Sequence, residues 1–207
     1  MIAIVDYRAG NLTSVELAFQ ALGVTAEVTS DPARVLAAER VVFPGVGAIG
    51  AAMAALTERQ LIPALRTVIA RGTPFLGICI GMQVLFDRSE EDGGVDSLGI
   101  LPGQVRRFRP GDRRDKVPQI GWNTVKFARP HPLFAGIRDE SEFYFVHSFY
   151  PDPAAAAHRL GETEYAGARF AAVAGRGALV ATQFHPERSG RLGLQLLRNF
   201  TTWDGRC

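Results

Sequence analysis

Short, continuous apolar runs alternate with amphipathic stretches through the N-terminal half of the chain. The apolar runs predict buried strands at residues 2–5, 25–29, 41–43 and 75–78. A capping-box pattern of Thr13 and Glu16 predicts where the first helix begins, and Gly23 predicts where it ends. Residues 51–70 also have a helical pattern, which Pro63 is expected to kink or divide. The alternation of apolar strands with helices favours a mostly parallel sheet covered on both faces.

The second half of the chain has shorter elements and more turns. Its patterns predict further strands at residues 105–108, 124–127, 143–146, 162–165, 170–174 and 180–184. Apolar residues on one face predict a closing helix over residues 190–200. We therefore predict an α/β fold with a mostly parallel open sheet, helices on both faces and a small antiparallel addition. Because no repeat or linker divides the sequence, we expect a single domain over residues 1–207.

The composition is that of a globular protein. Hydrophobic residues make up 47% of the 207 positions and charged residues 21%, which excludes extensive disorder. The formal net charge of +2, without long Lys/Arg blocks, gives no electrostatic footprint for nucleic-acid binding. A local basic region lies at residues 106–116. We interpret it by default as a solvated loop, and the second interpretation is a contact for a phosphorylated ligand or an acidic partner.

Two cysteines, Cys79 and Cys207, are too few for a disulfide framework and favour a reducing cytosol. Cys207 ends the chain and is interpreted as an incidental thiol. The N-terminus lacks the basic segment of a secretory signal, and no apolar stretch approaches the ~18 residues that span a bilayer. The sequence therefore predicts a soluble, cytoplasmic protein that binds neither nucleic acid nor membrane.

Cys79 lies between two glycines, Gly77 and Gly81, in a Gly-x-Cys-x-Gly motif. The predicted strand at residues 75–78 precedes it, and a predicted helix at residues 82–86 follows it. This is the thiol version of the nucleophile elbow, in which small residues permit a sharp turn that exposes the nucleophile. The start of the helix would also favour the thiolate. The alternative is a buried structural cysteine in a glycine-rich turn.

The Pro-Gly-Val-Gly segment at residues 44–47 follows another predicted strand. Because the carboxyl ends of parallel strands lie at one edge of a sheet, we expect this segment close to Cys79. Its backbone N–H groups are then available to a reaction at the thiol. This placement is the first support for catalysis that is independent of the cysteine motif.

A cysteine nucleophile needs a base, and His185 has the best position of the four histidines. It follows the last predicted strand, and Glu187 comes two residues later, where its carboxylate can orient the imidazole. His147 also follows a predicted strand and is the rival base, but no carboxylate is near it in the sequence. The remaining two, His131 and His158, are expected on the surface. The order cysteine, histidine, glutamate is that of a hydrolase triad.

Several motifs together resemble one known family. The motifs at residues 77–83 and 183–187 resemble the signature of the class I (triad) glutamine amidotransferases. Four stretches resemble more narrowly the glutaminase subunits of imidazole glycerol phosphate synthase, in histidine biosynthesis: residues 6–12, 44–48, 116–123 and 144–148. The sequence departs from the usual pattern of these subunits at Arg8, Ile80 and Phe149. The resemblance implies a flavodoxin-like core.

The resemblance also implies a chemistry. Cys79 would attack the side-chain amide of L-glutamine, with His185 as the base and Glu187 orienting it, to give ammonia and a thioester that water hydrolyses to glutamate. Two backbone N–H groups would hold the oxyanion, those of Val46 and Ile80. Four further residues would bind the glutamine: Gly47, Gln83, His147 and Ser148. We expect no cofactor and no metal ion.

A (β/α)8-barrel synthase subunit is the partner that the resemblance implies, in a heterodimer through which ammonia is passed on. Seven residues are expected at that interface: Arg8, Asn11, Lys116, Pro118, Gln119, Trp122 and Asn123. From the residues alone, packing of Trp122 on the core of the chain itself is an equal alternative. We also expect glutamine hydrolysis to be slow without the partner.

Other functions remain open from the sequence. A glutaminase of the same class could serve another synthase, for anthranilate or pyridoxal phosphate, and the loop around Trp122 argues against this. A non-enzymatic regulatory or scaffold subunit with a dead site is the alternative from a different class, and the complete triad argues against it. A stand-alone cysteine hydrolase is the third alternative.

Overall fold

The computed structural model describes residues 1–8, 10–112 and 114–206. Its strands are β1 Ile2–Val5, β2 Ala26–Thr29, β3 Arg40–Phe43, β4 Phe75–Ile78, β5 Arg88–Ser89, β6 Val95–Asp96, β7 Gly103–Arg107, β8 Gln119–Phe127, β9 Ser141–His147, β10 Phe149–Pro153, β11 Arg159–Tyr165, β12 Ala168–Arg176 and β13 Leu179–Thr182. Its α-helices are α1 Leu12–Ala21, α2 Pro32–Ala37, α3 Ile49–Glu58, α4 Leu61–Ala70, α5 Ile80–Gln83 and α6 Gly190–Thr202. The expectations for Cys207, and for Arg113 in the basic region, lie outside the described residues.

Five parallel strands form one half of the larger sheet, in the order β2-β1-β3-β4-β13. This order is that of a flavodoxin-like core. Neighbouring residues of one strand enter different apolar cores: Val42 packs with α1 and α6, and Phe43 packs with α2, α3 and α4. The predicted α/β fold, with helices on both faces of a mostly parallel sheet, is confirmed.

The remaining strands are mostly antiparallel. In the larger sheet β12, β11, β8 and β9 continue from β13 in antiparallel pairs. A second sheet has the order β10-β7-β5-β6, and β5 beside β7 is its parallel pair. The antiparallel addition is therefore present but larger than predicted. The strands predicted at residues 105–108 and 124–127 belong to different sheets.

Three helix predictions are wrong in detail. The first helix has no capping box, because its N-cap is Asn11, in the left-handed conformation with a φ of 71° and no side-chain cap bond. The long helical stretch divides before Pro63, at Gln60, whose φ of 55° separates α3 from α4. The helix predicted at residues 82–86 is the earlier and shorter α5. Among the described residues, no helix combines the length and the apolar character needed to cross a bilayer.

His131 is buried, so the expectation that it lies on the surface is wrong. Its side chain is 6% exposed, and its Nδ1 accepts a hydrogen bond of 3.1 Å from the backbone of Leu133. Its ring also packs edge-on against Trp203, with the centroids 5.2 Å apart. Burial lowers the pKa of His131 to about 4, so the imidazole is neutral in the folded protein.

Candidate active site

Cys79 occupies a sharp turn between β4 and α5. Its φ of 54° and ψ of −107° are strained values for a residue with a side chain. A Cβ atom on Gly81 would lie 1.7 Å from the carbonyl oxygen of Phe43, so the turn requires glycine there. A Cβ atom on Gly77 would lie 2.5 Å from the carbonyl oxygen of Gly81. The backbone therefore has the geometry of a nucleophile elbow.

His185 and Glu187 meet beyond the end of β13. A 3₁₀ turn, Pro186–Arg188, brings Oε1 of Glu187 to 2.8 Å from Nδ1 of His185. The side chains are 2% and 0% exposed. Burial alone would lower the pKa of His185, but the charge of the Cys79 sulfur and the Glu187 carboxylate raise it to about 10. An imidazolium between a carboxylate and a sulfur can carry the proton of a nucleophilic cysteine.

The carboxylate of Glu187 has a second partner in the first loop of the chain. Nδ2 of Asn11 donates a hydrogen bond of 2.7 Å to Oε1 of Glu187. Arg188 in turn donates to Oδ1 of Asn11 at 3.1 Å. Asn11, which is predicted at a partner interface, thus contacts the candidate triad directly. The sequence pattern does not single out Arg188, because its contact with the first loop is long-range.

His147, the rival base, is the last residue of β9 and is buried. Its Nδ1 lies 2.8 Å from the carbonyl oxygen of Phe149 and must donate, because a carbonyl only accepts. Burial lowers the pKa of His147 to about 3, so the ring is neutral. A neutral ring without a carboxylate partner is the weaker base for a thiol, and the geometry favours His185.

A pocket of about 320 Å³ is lined by Cys79. It brings together the residues predicted for the oxyanion and the substrate: Val46, Gly47, Ile80, Gln83, His147 and Ser148. Its remaining lining residues are Glu91, Pro118, Val146 and Phe149. The volume is at the small end of the range for ligand pockets and suits a small ligand.

Glu91 is a pocket residue that the sequence pattern does not predict. Its Oε2 accepts a hydrogen bond of 2.8 Å from the backbone N–H of Ile49, at the start of α3. Burial raises the pKa of Glu91. A carboxylate in the same pocket as the thiol can bind an ammonium group. The acidic turn at residues 90–94 gives no local sign of this, since the contact with Ile49 depends on the fold.

The segment at residues 44–47 lies against the elbow. A Cβ atom on Gly45 would lie 3.0 Å from Cβ of Ile80 and 1.9 Å from the hydroxyl oxygen of Tyr7, so glycine is required. Gly47 has a φ of 95°, which also favours glycine. The Tyr7 hydroxyl is buried with no hydrogen-bond partner among the described residues, and burial and the charge of Cys79 raise its pKa. The segment is thus held close to the candidate nucleophile.

The residues predicted for a partner interface include exposed and buried side chains. Trp122 is 55% exposed and Ile120, on the same strand, is 63% exposed, so this tryptophan does not pack in the core. Gln119 is buried, and Pro118 lines the pocket. Residues 119–123 are predicted as loop, but they form the first part of β8. Trp122 and Ile120 therefore project from a strand.

The other predicted interface residues are exposed or half-buried. Arg8 forms a two-point ion pair with Glu58, with distances of 2.9 and 2.8 Å, and the side chains are 62% and 59% exposed. Lys116 is exposed. Nδ2 of Asn123 donates to the backbone carbonyl of Glu164 at 2.9 Å.

Known proteins resemble this chain in sequence. A family model described as "Glutamine amidotransferase class-I" matches residues 3–202. The chain is 51% identical to "Imidazole glycerol phosphate synthase subunit HisH" of Moorella thermoacetica, over 96% of this chain and 93% of the relative. It is 48% identical to the subunit of the same name from Dehalococcoides mccartyi, over 97% of this chain and 96% of the relative.

Solved structures share the fold. One described as "Structure of PurLQS from Thermotoga maritima" has a TM-score of 0.74 and 16% identity, over 97% of this chain and 96% of that one. Another, described as "Crystal structure of glutamine amidotransferase", has a TM-score of 0.72 and 17% identity, over 97% of each chain. Such identities establish the fold alone. The family match and the curated relatives cover nearly the whole sequence, and the chain therefore belongs to the class I glutamine amidotransferases and, within them, to the glutaminase (HisH) subunits of imidazole glycerol phosphate synthase.

Proposed function

We propose that this chain hydrolyses L-glutamine to glutamate and ammonia as the glutaminase subunit of imidazole glycerol phosphate synthase in histidine biosynthesis. The observation that carries the proposal is the buried arrangement of Cys79, His185 and Glu187 beside a small pocket. The shared name of the relatives favours this synthase over one for anthranilate or pyridoxal phosphate. The complete set of reactive side chains argues against a regulatory subunit with a dead site.

The reaction begins with attack by the sulfur of Cys79 on the side-chain carbonyl carbon of glutamine. His185 takes the thiol proton, so that the sulfur attacks as a thiolate, and then gives that proton to the leaving nitrogen. The C–N bond breaks, ammonia leaves and a γ-glutamyl thioester remains. Water, deprotonated by His185, attacks the thioester carbon. The C–S bond then breaks, His185 returns the proton to the sulfur of Cys79, and glutamate is released. Throughout, Glu187 orients the imidazole and balances its charge.

The negative oxygen of each tetrahedral intermediate is assigned to the backbone N–H groups of Val46 and Ile80. One such donor stabilises the transition state by ~3 kcal/mol, a factor of roughly a hundred in rate. Gly45 and Gly47 flank Val46 and allow its peptide to rotate at little cost. A rotation driven by the partner would add or remove this donor, which supports our expectation that turnover is slow in the isolated chain.

The α-ammonium group of glutamine is assigned to Glu91, the carboxylate that lines the pocket together with the thiol. Gly47, Gln83 and the backbone of His147 and Ser148 are assigned to the remaining polar groups of the substrate. These contacts hold the amino-acid end of glutamine in place. The side-chain amide at the other end of the substrate then lies at the sulfur of Cys79.

Ammonia is largely protonated at neutral pH and then no longer a nucleophile, so the product has to pass directly to the synthase. We assign the docking of a (β/α)8-barrel synthase subunit to the surface around Trp122 and Ile120, since exposed large apolar side chains are typical of partner contacts. Arg8 and Asn11 are assigned to the same partner interface. The working unit is then a heterodimeric, ammonia-channelling lyase, expected in the cytoplasm.

The proposed function is tested with the assembled complex. Cys79→Ala should abolish glutamine hydrolysis and leave the synthase reaction running on added ammonium. Cys207→Ser removes the other of the two cysteines and is the matched control, with hydrolysis expected at the wild-type rate. Residual glutamine hydrolysis by Cys79→Ala would contradict the assigned nucleophile. A mutant complex that makes no product from ammonium would contradict the division of labour between the subunits.

A further inference from the structure

Gln183 is buried beside the candidate nucleophile, and the reaction above gives it no role. It follows β13, and its exposed fraction is 0%. A buried primary amide destabilises a fold unless its donors and acceptor are matched. The partners of this side chain therefore indicate what it does.

The hydrogen bonds of a neighbouring amide fix the orientation of Gln183. Nε2 of Gln83 lies 3.0 Å from the carbonyl oxygen of Phe149 and 2.9 Å from Oε1 of Gln183. Because a backbone carbonyl only accepts, the atom of Gln83 that faces it must be the nitrogen, which donates both bonds. Gln183 therefore turns its oxygen towards Gln83. Its own Nε2 lies 3.5 Å from Sγ of Cys79.

We propose that Gln183 is a further catalytic residue, which donates a hydrogen bond from Nε2 to the sulfur of Cys79 and favours the thiolate. Hydrogen bonds to an ionised acceptor are stronger than those to a neutral one, so the bond counts most before the sulfur attacks. It weakens when the thioester forms and the sulfur loses its charge. The same bonds join the thiol to Gln83, an assigned substrate contact. This inference rests on the proposed function, in which Cys79 is the nucleophile.

Two substitutions separate this role from a structural one. Gln183→Glu keeps an oxygen towards Gln83 but places a second oxygen, and no donor, beside the sulfur. Gln183→Met introduces a side chain of similar length that makes neither the bond with Gln83 nor the bond with the sulfur. Gln195→Met is the matched control, because the Gln195 amide donates to Asn199 on α6 and does not line the pocket.

The rate of Cys79 alkylation by iodoacetamide at neutral pH reports the thiolate, in a Cys207→Ser background that leaves one thiol. We expect alkylation to slow by about tenfold in Gln183→Met and by more in Gln183→Glu. In the assembled complex, kcat for glutamine should fall by at least the same factor, while KM changes by less than about threefold. Gln195→Met should behave as wild type in both assays.

If Gln183→Glu is alkylated at the wild-type rate and only Gln183→Met is slowed, the side chain serves only as an acceptor for Gln83. That result would overturn the proposal. If neither variant folds, NMR of the wild-type chain decides. The side-chain N–H signals of Gln183 must then shift when Cys79 is alkylated, and unchanged signals overturn the proposal. Glutamine hydrolysis by Cys79→Ala would instead overturn the proposed function itself, so the two failures are distinguishable.

Discussion

The end of β13 and the end of β9 each bring a buried histidine to the active-site region, yet their electrostatics are opposite. Nδ1 of His185 contacts the Glu187 carboxylate, and the charge of the Cys79 sulfur and that carboxylate raise the pKa of His185 to about 10. His147 contacts a backbone carbonyl, and burial lowers its pKa to about 3. Burial disfavours the charged form of both rings, so the partner of Nδ1 and the nearby sulfur make the difference. Burial and position at a strand end do not by themselves identify a catalytic histidine.

Removing each imidazole ring in turn distinguishes the two histidines most clearly. His185→Gln should lower glutamine hydrolysis by about 10⁴-fold, because the thiol loses its base and the leaving nitrogen loses its acid. His147→Gln should lower it by about tenfold or less, because only the backbone of His147 is assigned to the substrate. Steady-state assays of the assembled complex measure both. Equal losses in the two variants would contradict the assignment of the base.

Replacing Glu187 by glutamine gives His185 a neutral partner, as His147 already has. Loss of the carboxylate should lower the pKa of His185 and reduce glutamine hydrolysis by ~10² to 10⁴-fold. A pH profile of kcat/KM measures both effects, since the imidazolium then loses its proton at lower pH. A variant with wild-type activity and an unchanged profile would rule out Glu187 as the orienting group.

A different carboxylate, Glu91, should act on binding rather than on chemistry. Glu91→Gln removes the charge assigned to the α-ammonium group and should raise KM for glutamine by about tenfold. We expect kcat to change by less than about threefold, in contrast to the kcat loss in Glu187→Gln. Steady-state kinetics with glutamine separate the two constants, and an unchanged KM would remove Glu91 from the binding site.

A further effect of the His147 environment concerns stability at acid pH. The pKa of His147 is lower in the folded chain, about 3, than the usual value of 6.5. As the pH falls from 6.5 towards 3, the unfolded chain binds a proton that the folded chain does not, so stability is lost in that window. His147→Gln should reduce the slope of the free energy of unfolding against pH in this window by up to ~1.4 kcal/mol per pH unit.

His185 has the opposite sign. Its folded pKa of about 10 lies above 6.5, so its stabilisation is complete below 6.5 and is lost as the pH rises through 10. Denaturant unfolding across the pH range, with wild type and His147→Gln compared, checks the acid window. If the free energy of unfolding falls equally steeply with acid pH in wild type and in His147→Gln, the assigned pKa of His147 is wrong.

The parallel half of the fold is predictable because its signals are local. The strands β1, β3 and β4 are apolar runs, and consecutive residues such as Val42 and Phe43 enter the two cores. The antiparallel half is less predictable. Residues 119–123 alternate Ile120 and Trp122 with polar residues and glycine, but Gly121 and Asn123 are disfavoured in strands, so the local signal is weak. They are extended because they pair with β9, where Gln119 lies opposite His147.

Two misses have different physical causes. Helix α2 is too short to show helical periodicity, although Asp31 caps it by accepting a hydrogen bond of 2.8 Å from Ala33 and Pro32 begins it. That start signal is visible in the sequence. The burial of His131 is not, because it depends on Trp203, which α6 brings from the other end of the chain.

The site residues that directly follow predicted strands can be predicted from the sequence. Cys79, His185 and Glu187 follow apolar runs and can be found without a fold. Glu91 and Gln183 enter the site through contacts with residues distant in sequence, and no local pattern predicts their roles. The single domain over residues 1–207 stays a prediction.

An NMR titration of the imidazole nitrogens, in wild type and in Cys79→Ala, tests the pairing of Cys79 with His185 most directly. Wild-type His185 should stay protonated up to pH about 10 and should lose its proton at lower pH in Cys79→Ala, because the sulfur's charge is gone. His147 should be neutral at neutral pH in both proteins. A His147 signal that shifts on removal of the thiol, with His185 unaffected, would contradict the pairing of Cys79 with His185.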